Sequence, residues 1–252
     1  MEWRFRTLKF CFLGLVIGFF GLFISIRMLN RVPPIRKLSN PAATEPNQLN
    51  LENAKPIDMD WEGAAYRLYP RANYELQGLV VAEHRADSLS DLMHKETGDQ
   101  FNTRDICVVW GQLLKSGLYE RLEFWHGDWT CYVRGKSADW SQVDQRELSN
   151  THVLPKYQAI KDVLDKIEVG DEIRLSGQLV DYDFKGRPFR KTSLVRTDTG
   201  NGACEVMLVD QAKIISGPNH IWALIKRGAQ YLIVVSFLGA LLMMAYPVFF
   251  SS

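Results

Sequence analysis

The hydrophobic pattern of the chain is dominated by two uncharged apolar runs, Phe10–Ile26 and Gly228–Ser252, one near each end. A helix needs about 17–25 apolar residues to cross the hydrocarbon of a bilayer, so both runs predict membrane-spanning helices, over 10–28 and 228–250. With both ends in the membrane, everything between them lies on one side. The tail 1–9 is basic (Arg4, Arg6, Lys9), as a signal peptide's would be. The first run is nevertheless longer than the roughly 7–15 residues of a signal-peptide core, and Arg27 follows where small residues would mark a cleavage site. It reads as a retained anchor.

Residues 29–60 hold Pro33, Pro34, Pro41, Pro46 and Pro56 with no apolar period, which predicts an extended, semi-rigid spacer. Residues 61–218 read as a β-rich soluble domain. Strand patterns occur at Tyr74–Ala82, Arg104–Gly111 and Trp129–Arg134, and a short helix is predicted over Asp87–Lys95. The strongest helical period is Pro155–Glu168, where Tyr157, Ile160, Val163, Leu164 and Ile167 share a face, with Pro155 as first helical residue and Gly170 as stop. A strand to Tyr182, a turn at Phe184–Pro188, a strand to Thr199, a loop at Gly200-Asn201-Gly202 and a strand Ala203–Ile215 then predict a meander. A helix inserted midway through a small antiparallel set points to an OB-like small barrel, with an open α+β sheet as the alternative.

The net charge of +1 averages two regions. Residues 57–220 carry 20 Lys+Arg against 26 Asp+Glu, a balance of −6, while the remaining basic residues cluster beside the spans. Basic groups there are drawn to anionic headgroups by about 1 kcal/mol each. An acidic domain disfavours nucleic acid, whose binding rests on neutralised phosphates. Of four cysteines, Cys11 lies in the first span, and Cys107, Cys131 and Cys204 in the domain allow one disulfide and leave a thiol over. No CxxC or Cys/His spacing suggests a metal, and no cofactor motif is present.

The segments RTDTGNGACE (Arg196–Glu205), LSNTHVLP (Leu148–Pro155) and GDEIRLSGQLVDY (Gly170–Tyr182) together resemble a family of uncharacterised bacterial membrane proteins, over Tyr74 to Ile215. The resemblance implies a shared fold and brings no activity with it. The chain departs from that pattern at Arg190-Lys191, basic where relatives carry aromatics.

Several groups are candidates for chemistry. Cys204 with His152 supplies a nucleophile and a base, with Asp198 a further acid, provided the fold brings them together; no helix N-terminus precedes Cys204 to activate it. Asp198 and Glu205, with Asp181 and Asp183, offer paired carboxylates, although acids flanking turns usually cap or face solvent. Lys185, Arg187, Arg190 and Lys191 form a basic cluster suited to an anionic headgroup or acidic partner. Arg196, Asp198, Asn201 and Glu205 are expected to pin the terminal hairpin, with Arg196 pairing to Glu205. The aromatics Trp110, Phe124, Trp125, Trp129, Tyr132 and Trp140 are expected in the core. Gly14 and Gly18, with Ser236 and Ala240 at the same spacing, allow close helix approach within the chain or between copies.

These features describe a membrane-anchored, non-catalytic β-barrel module with a binding or assembly role, its partners being the lipid bilayer and other membrane proteins or itself. The alternatives are a membrane-anchored thiol or hydrolytic enzyme using Cys204 and His152, and an OB-type nucleic-acid or defence-related sensor. The expected location is the inner (cell) membrane, crossed twice. Arg27, Arg31, Arg36, Lys37, Lys226 and Arg227 favour a cytoplasmic domain. A short basic tail ahead of a dominant first span, and the ease with which long loops translocate, favour an extracytoplasmic one, and the latter is taken.

Overall fold

The structure is a computed structural model, and it describes residues 2–39, 43–85, 98–102, 104–127, 130–198 and 203–250. Its elements in chain order are α1 (Glu2–Leu29), β1 (Asn47–Asn50), β2 (Ile57–Trp61), β3 (Ala64–Arg85), β4 (Arg104–Val109), α2 (Gly111–Lys115), β5 (Glu123–His126), β6 (Cys131–Arg134), α3 (Ser137–Trp140), β7 (Leu148–Pro155), α4 (Gln158–Leu164), β8 (Glu172–Phe184), β9 (Arg187–Arg190), β10 (Glu205–Ser216) and α5 (His220–Phe250). The chain forms two compact units, Met1–Arg31 with Asn219–Ser252, and Val32–Pro218. The predicted helix at Asp87–Lys95, the Gly200–Gly202 loop with Thr199, and Trp129 lie outside the described residues.

In the helical unit, α1 and α5 are long and apolar enough to cross a membrane, which fits a two-pass membrane protein. They run antiparallel, with Gly14 against Ser236, Gly18 against Ala229 and Ile233, and Cys11 against Gly239. A Cβ on Gly14 would fall 2.2 Å from Ser236 Oγ, and one on Gly18 would fall 2.6 Å from Ile233 Cγ1 and 3.2 Å from the Ala229 carbonyl. The small-residue face is thus used inside the chain, where it lets the two backbones approach.

The second unit is a mixed, sheet-rich domain organised by β3, a strand of 22 residues. One edge of β3 pairs with β8, from Tyr66↔Phe184 to Leu79↔Glu172; its other edge takes β2, β1 and then β4, from Leu79↔Val109 to Arg85↔Arg104. β4 pairs with β7, β7 runs parallel to β10, and β10 pairs with β8. Following neighbours from β3 through β4, β7, β10 and β8 therefore leads back to β3.

β7, β8 and β10 alternate between two apolar clusters, because successive side chains point to opposite faces. One cluster holds Ile106, Val108, Val153, Leu175, Leu179, Met207 and Val209, with Leu164 and Ile167 from α4 and the turn after it. The other holds Leu154, Val180, Tyr182, Val206, Leu208 and Phe101. A bulge between Pro70 and Ala72 shifts the register of β3 by one residue, which exchanges its faces. Even-numbered Tyr66 and Leu68 accordingly pack in the second cluster, and even-numbered Ala72, Tyr74 and Leu76 in the first.

Three expectations from the sequence change. The proline-rich segment 29–60 is no free spacer. β1 and β2 pair with β3, Tyr119 donates to the Pro33 carbonyl at 2.7 Å, and the Ile35 and Ser39 amides donate to Glu120 and Glu172 at 2.8 and 2.5 Å. Short edge strands need only backbone groups to pair, so their polar side chains conceal them. The helix predicted from Pro155 is shorter: Pro155 closes β7, and the Lys156 amide continues the ladder to the Val209 carbonyl at 3.0 Å before α4 begins. The terminal meander is not seen among the described residues: β10 already has β7 on one edge and β8 on the other, and 191–198 holds no strand, the Ser193 amide donating to the Cys204 carbonyl at 2.9 Å.

The domain's disulfide joins Cys107 to Cys131, with Cα atoms 5.9 Å apart, and staples the β5–β6 hairpin to β4.

The tightest backbone crossing lies at Gly177, where a Cβ would fall 2.0 Å from the Leu208 carbonyl. Gly177→Ala should destabilise the domain by about 1–3 kcal/mol, the usual cost of overpacking. Thermal unfolding of the detergent-solubilised chain should show a clear drop in Tm, while Gly228→Ala, whose Cβ meets nothing within 4 Å, should leave the domain transition in place.

Candidate functional site

β4 and β7 carry buried polar residues, Arg104 and Asp105 on β4 and Ser149 to His152 on β7. Their register sets Asp105 opposite His152 and Cys107 opposite Asn150, so all four side chains share one face. His152 Nδ1 donates to Asp105 Oδ1 at 2.5 Å, and Asn102 Nδ2 donates to the same oxygen at 2.9 Å. Asp105 is wholly buried and His152 is 3% exposed. Burial opposes both charges, yet the pair sustains them. The His152 ring holds the Asp105 carboxyl well below the usual carboxylate range, and Asp105 lifts the imidazolium to about 9 against the downward pull of burial.

Cys204, which immediately precedes β10, is not in a disulfide, and its interaction with the His152 ring is among those that raise the imidazolium. Its sulfur also accepts from Asn150 Nδ2 at 3.0 Å. Asn150 Oδ1 in turn accepts from His126 Nε2 at 2.7 Å, and the His126 ring stacks on His84 with centroids 5.7 Å apart. Arg190 Nη1 lies 3.1 Å from His152 Nε2. Segment 98–102 is pinned beside this face by Asp99, which accepts from Tyr66 and Tyr182 at 2.9 and 2.6 Å.

The fold therefore brings Cys204 and His152 together, and the third member is Asp105 rather than Asp198. Asp198 accepts from Ser193 Oγ at 2.6 Å and serves the local loop. Asp105, Asn102 and Asn150 escape a motif search because they are far apart in sequence. For Asp105 and Asn150 the signal is polar residues inside buried strands, Arg104-Asp105 at the head of RDICVV and four consecutive polar residues in SNTHV.

Glu205 lies on the opposite face, where it pairs in register with Thr151. Arg196 Nη1 is 3.3 Å from Glu205 Oε1, Nη2 donates to Tyr74 Oη at 2.9 Å, and Nε is 3.4 Å from Glu45 Oε1. The guanidinium sits 5.4 Å from the ring centroids of both Tyr74 and Trp110. Burial, reinforced by the charge of Asp198, pushes the Glu205 carboxyl up to about 7 despite Arg196. Asn201 lies outside the described residues.

The basic cluster divides. Lys185, Arg187 and Lys191 are exposed, whereas Arg190 is half-buried and turned onto His152. The aromatics divide as well. Trp110 is buried, but Trp125 and Tyr132, register partners on β5 and β6, are 41% and 45% exposed and stack with centroids 5.3 Å apart. Among the described residues no group of three or more His, Cys, Asp or Glu side chains is placed to hold a metal ion.

Compared with protein-family models, with curated proteins and with solved structures, the chain matches none.

The His152–Asp105 pair makes stability pH-dependent. His152 holds its proton more tightly folded than unfolded, so its contribution is complete below about 6.5 and is lost as pH rises through about 9. Asp105 contributes above its ordinary range and loses that only in strong acid. Glu205, raised to about 7, has finished titrating by pH 8. Urea unfolding followed by tryptophan fluorescence should therefore show a midpoint falling between pH 7.5 and 9.5. Asp105→Asn should flatten that slope and lower stability at pH 7.5 by about 3–5 kcal/mol, as loss of one partner of a buried pair does.

Proposed function

We propose that the protein is a two-pass protein of the cell membrane that presents an OB-type barrel on the extracytoplasmic side and serves there as a binding and assembly module for a protein partner. The observation that carries the binding reading is the exposed Trp125–Tyr132 stack, with Arg134 Cζ 5.6 Å from the Trp125 ring centroid. Trp, Tyr and Arg are the residue types that dominate binding energy at protein interfaces. Here they stand on a two-stranded hairpin fastened to the sheet by the Cys107–Cys131 disulfide, so little ordering is left to be done on binding. The acidic balance of 57–220 weighs against single-stranded nucleic acid as the occupant.

The barrel reading is supported by the returning order of five pairings, one parallel and four antiparallel, with α4 between β7 and β8. The side of the membrane is supported by the disulfide, since such bonds persist in oxidising compartments. It is supported too by the short basic tail ahead of α1.

Trp125→Ala combined with Tyr132→Ala should leave the domain folded, because neither ring belongs to either apolar cluster, and should shift the protein from a complex to a smaller species on native gels of mildly solubilised membranes. Unchanged migration refutes the binding surface. An alkaline phosphatase fused after Ser216, in place of α5, should be active; a silent phosphatase with an active cytoplasmic reporter at the same junction reverses the sidedness.

A further inference from the structure

Cys204 is the one domain cysteine left as a thiol, because Cys107 and Cys131 are joined. Its sulfur is placed by three separate strands. β10 begins immediately after it, β7 supplies Asn150 and His152, and β4 supplies the Asp105 that orients the imidazole. A cysteine becomes a nucleophile when a base within hydrogen-bond reach takes its proton, and when that base is held in one orientation by a third group. Both conditions are met here, and Asn150 adds a second donor to the sulfur. We propose that Cys204 is the nucleophile of a thiol–disulfide exchange site, with His152 as its proton acceptor, Asn150 as a donor to the thiolate, and Asp105 as the positioning residue. The proposal stands apart from the aromatic hairpin surface.

The reaction class follows from what the site holds. The Cys204 proton rests on the His152 ring, whose imidazolium Asp105 holds, and the thiolate attacks one sulfur of a disulfide. The Cys204 S–S bond forms as the old S–S bond breaks. Its electron pair leaves with the departing sulfur, which takes the proton back from the imidazolium. The number of disulfides is unchanged, and the co-reactant is a disulfide. Two sources share that chemistry: a disulfide on another molecule, and the chain's own Cys107–Cys131 bond, since Asn150 is the register partner of Cys107 and contacts Cys204 as well.

The charges facing the site are mixed. Asp105 on β4 and Glu205 on β10 favour the imidazolium, and Arg190 on β9 opposes it. His126 on β5 reaches the site through Asn150. Arg196 and Asp198 act at one remove, through Glu205.

The test uses the full-length chain in detergent with Cys11→Ser, so that Cys204 is the single free thiol, and 5,5′-dithiobis(2-nitrobenzoate) as the disulfide probe. The rate of probe cleavage is followed from pH 5 to 9.5. The expected midpoint lies below pH 7, well under the free-cysteine value of about 8.5. At pH 6 the folded chain should react at least about tenfold faster than the same chain in urea, the ratio that one unit of pKa produces in thiolate fraction. Asp105→Asn should move the midpoint toward that of free cysteine, and Asn150→Ala should slow the reaction at pH 6 several-fold. Peptide mapping separates the sources. Retention of the probe's half on Cys204 points to an external disulfide, and a Cys204 bond to Cys107 or Cys131 points to the internal one. A wild-type midpoint near 8.5, or a rate equal to that in urea, overturns the proposal, and this arm stands even if the variants fail to fold.

Discussion

The domain depends on one long strand that carries partners along both edges. β3 gives its first two-thirds to β8 and its last third to β4, and Leu79 is the changeover, paired with both Glu172 and Val109. A strand has only two edges, so this sharing decides what every later strand is able to do. β4 passes the pairing to β7, β7 to β10, and β10 returns it to β8. Gly78, next to the changeover, stands where a Cβ would fall 2.5 Å from the Val109 carbonyl, so the backbones meet closely at the point of exchange. With both edges of β10 occupied, the described residues 191–198 are left without a ladder. Arg196 goes to one face and Cys204 to the other.

Buried charge is handled the same way throughout the domain. Removing a charge from water costs several kcal/mol unless a partner is at hand. Asp105 has His152, Glu205 has Arg196, and buried Arg104 bonds to Glu83 and to the Leu164 carbonyl. Two of these systems sit on opposite faces of the same strands, reached by neighbouring residues of one segment, Cys204 and Glu205. The disulfide belongs to the first face, because Cys107 alternates with Asp105 along β4 and faces Asn150 across the register. A single polar face thus links the stapled hairpin, the histidine pair and the free thiol.

Much of this was legible in the chain. Two apolar runs of spanning length, the strands now described at β4, β8 and β10, and an odd cysteine count in the domain all follow from local composition and period. β1 and β2 were not legible, since edge strands hold on by backbone groups that leave no side-chain signature. Pro155 misleads in the other direction. It suits the first turn of a helix, but it also suits a strand end, where its missing N–H is no loss, and the parallel ladder to Val209 takes it. Cys204 and His152 were visible as residue types, but Asp105 was not, because a triad is an arrangement in space that the chain assembles from positions 105, 152 and 204.

What the sequence determined by itself is therefore whatever depends on near neighbours: the two apolar helices of spanning length, the alternation of apolar and polar positions, the short helix between strands, and the acidic balance between basic flanks. What only the tertiary structure decided is which edges meet. Pairing at a separation of fifty or a hundred residues is set by competition for a limited number of strand edges. That competition turned a proline-rich spacer into edge strands and left 191–198 without a strand. It also brought an aspartate, an asparagine, a histidine and a cysteine to one face.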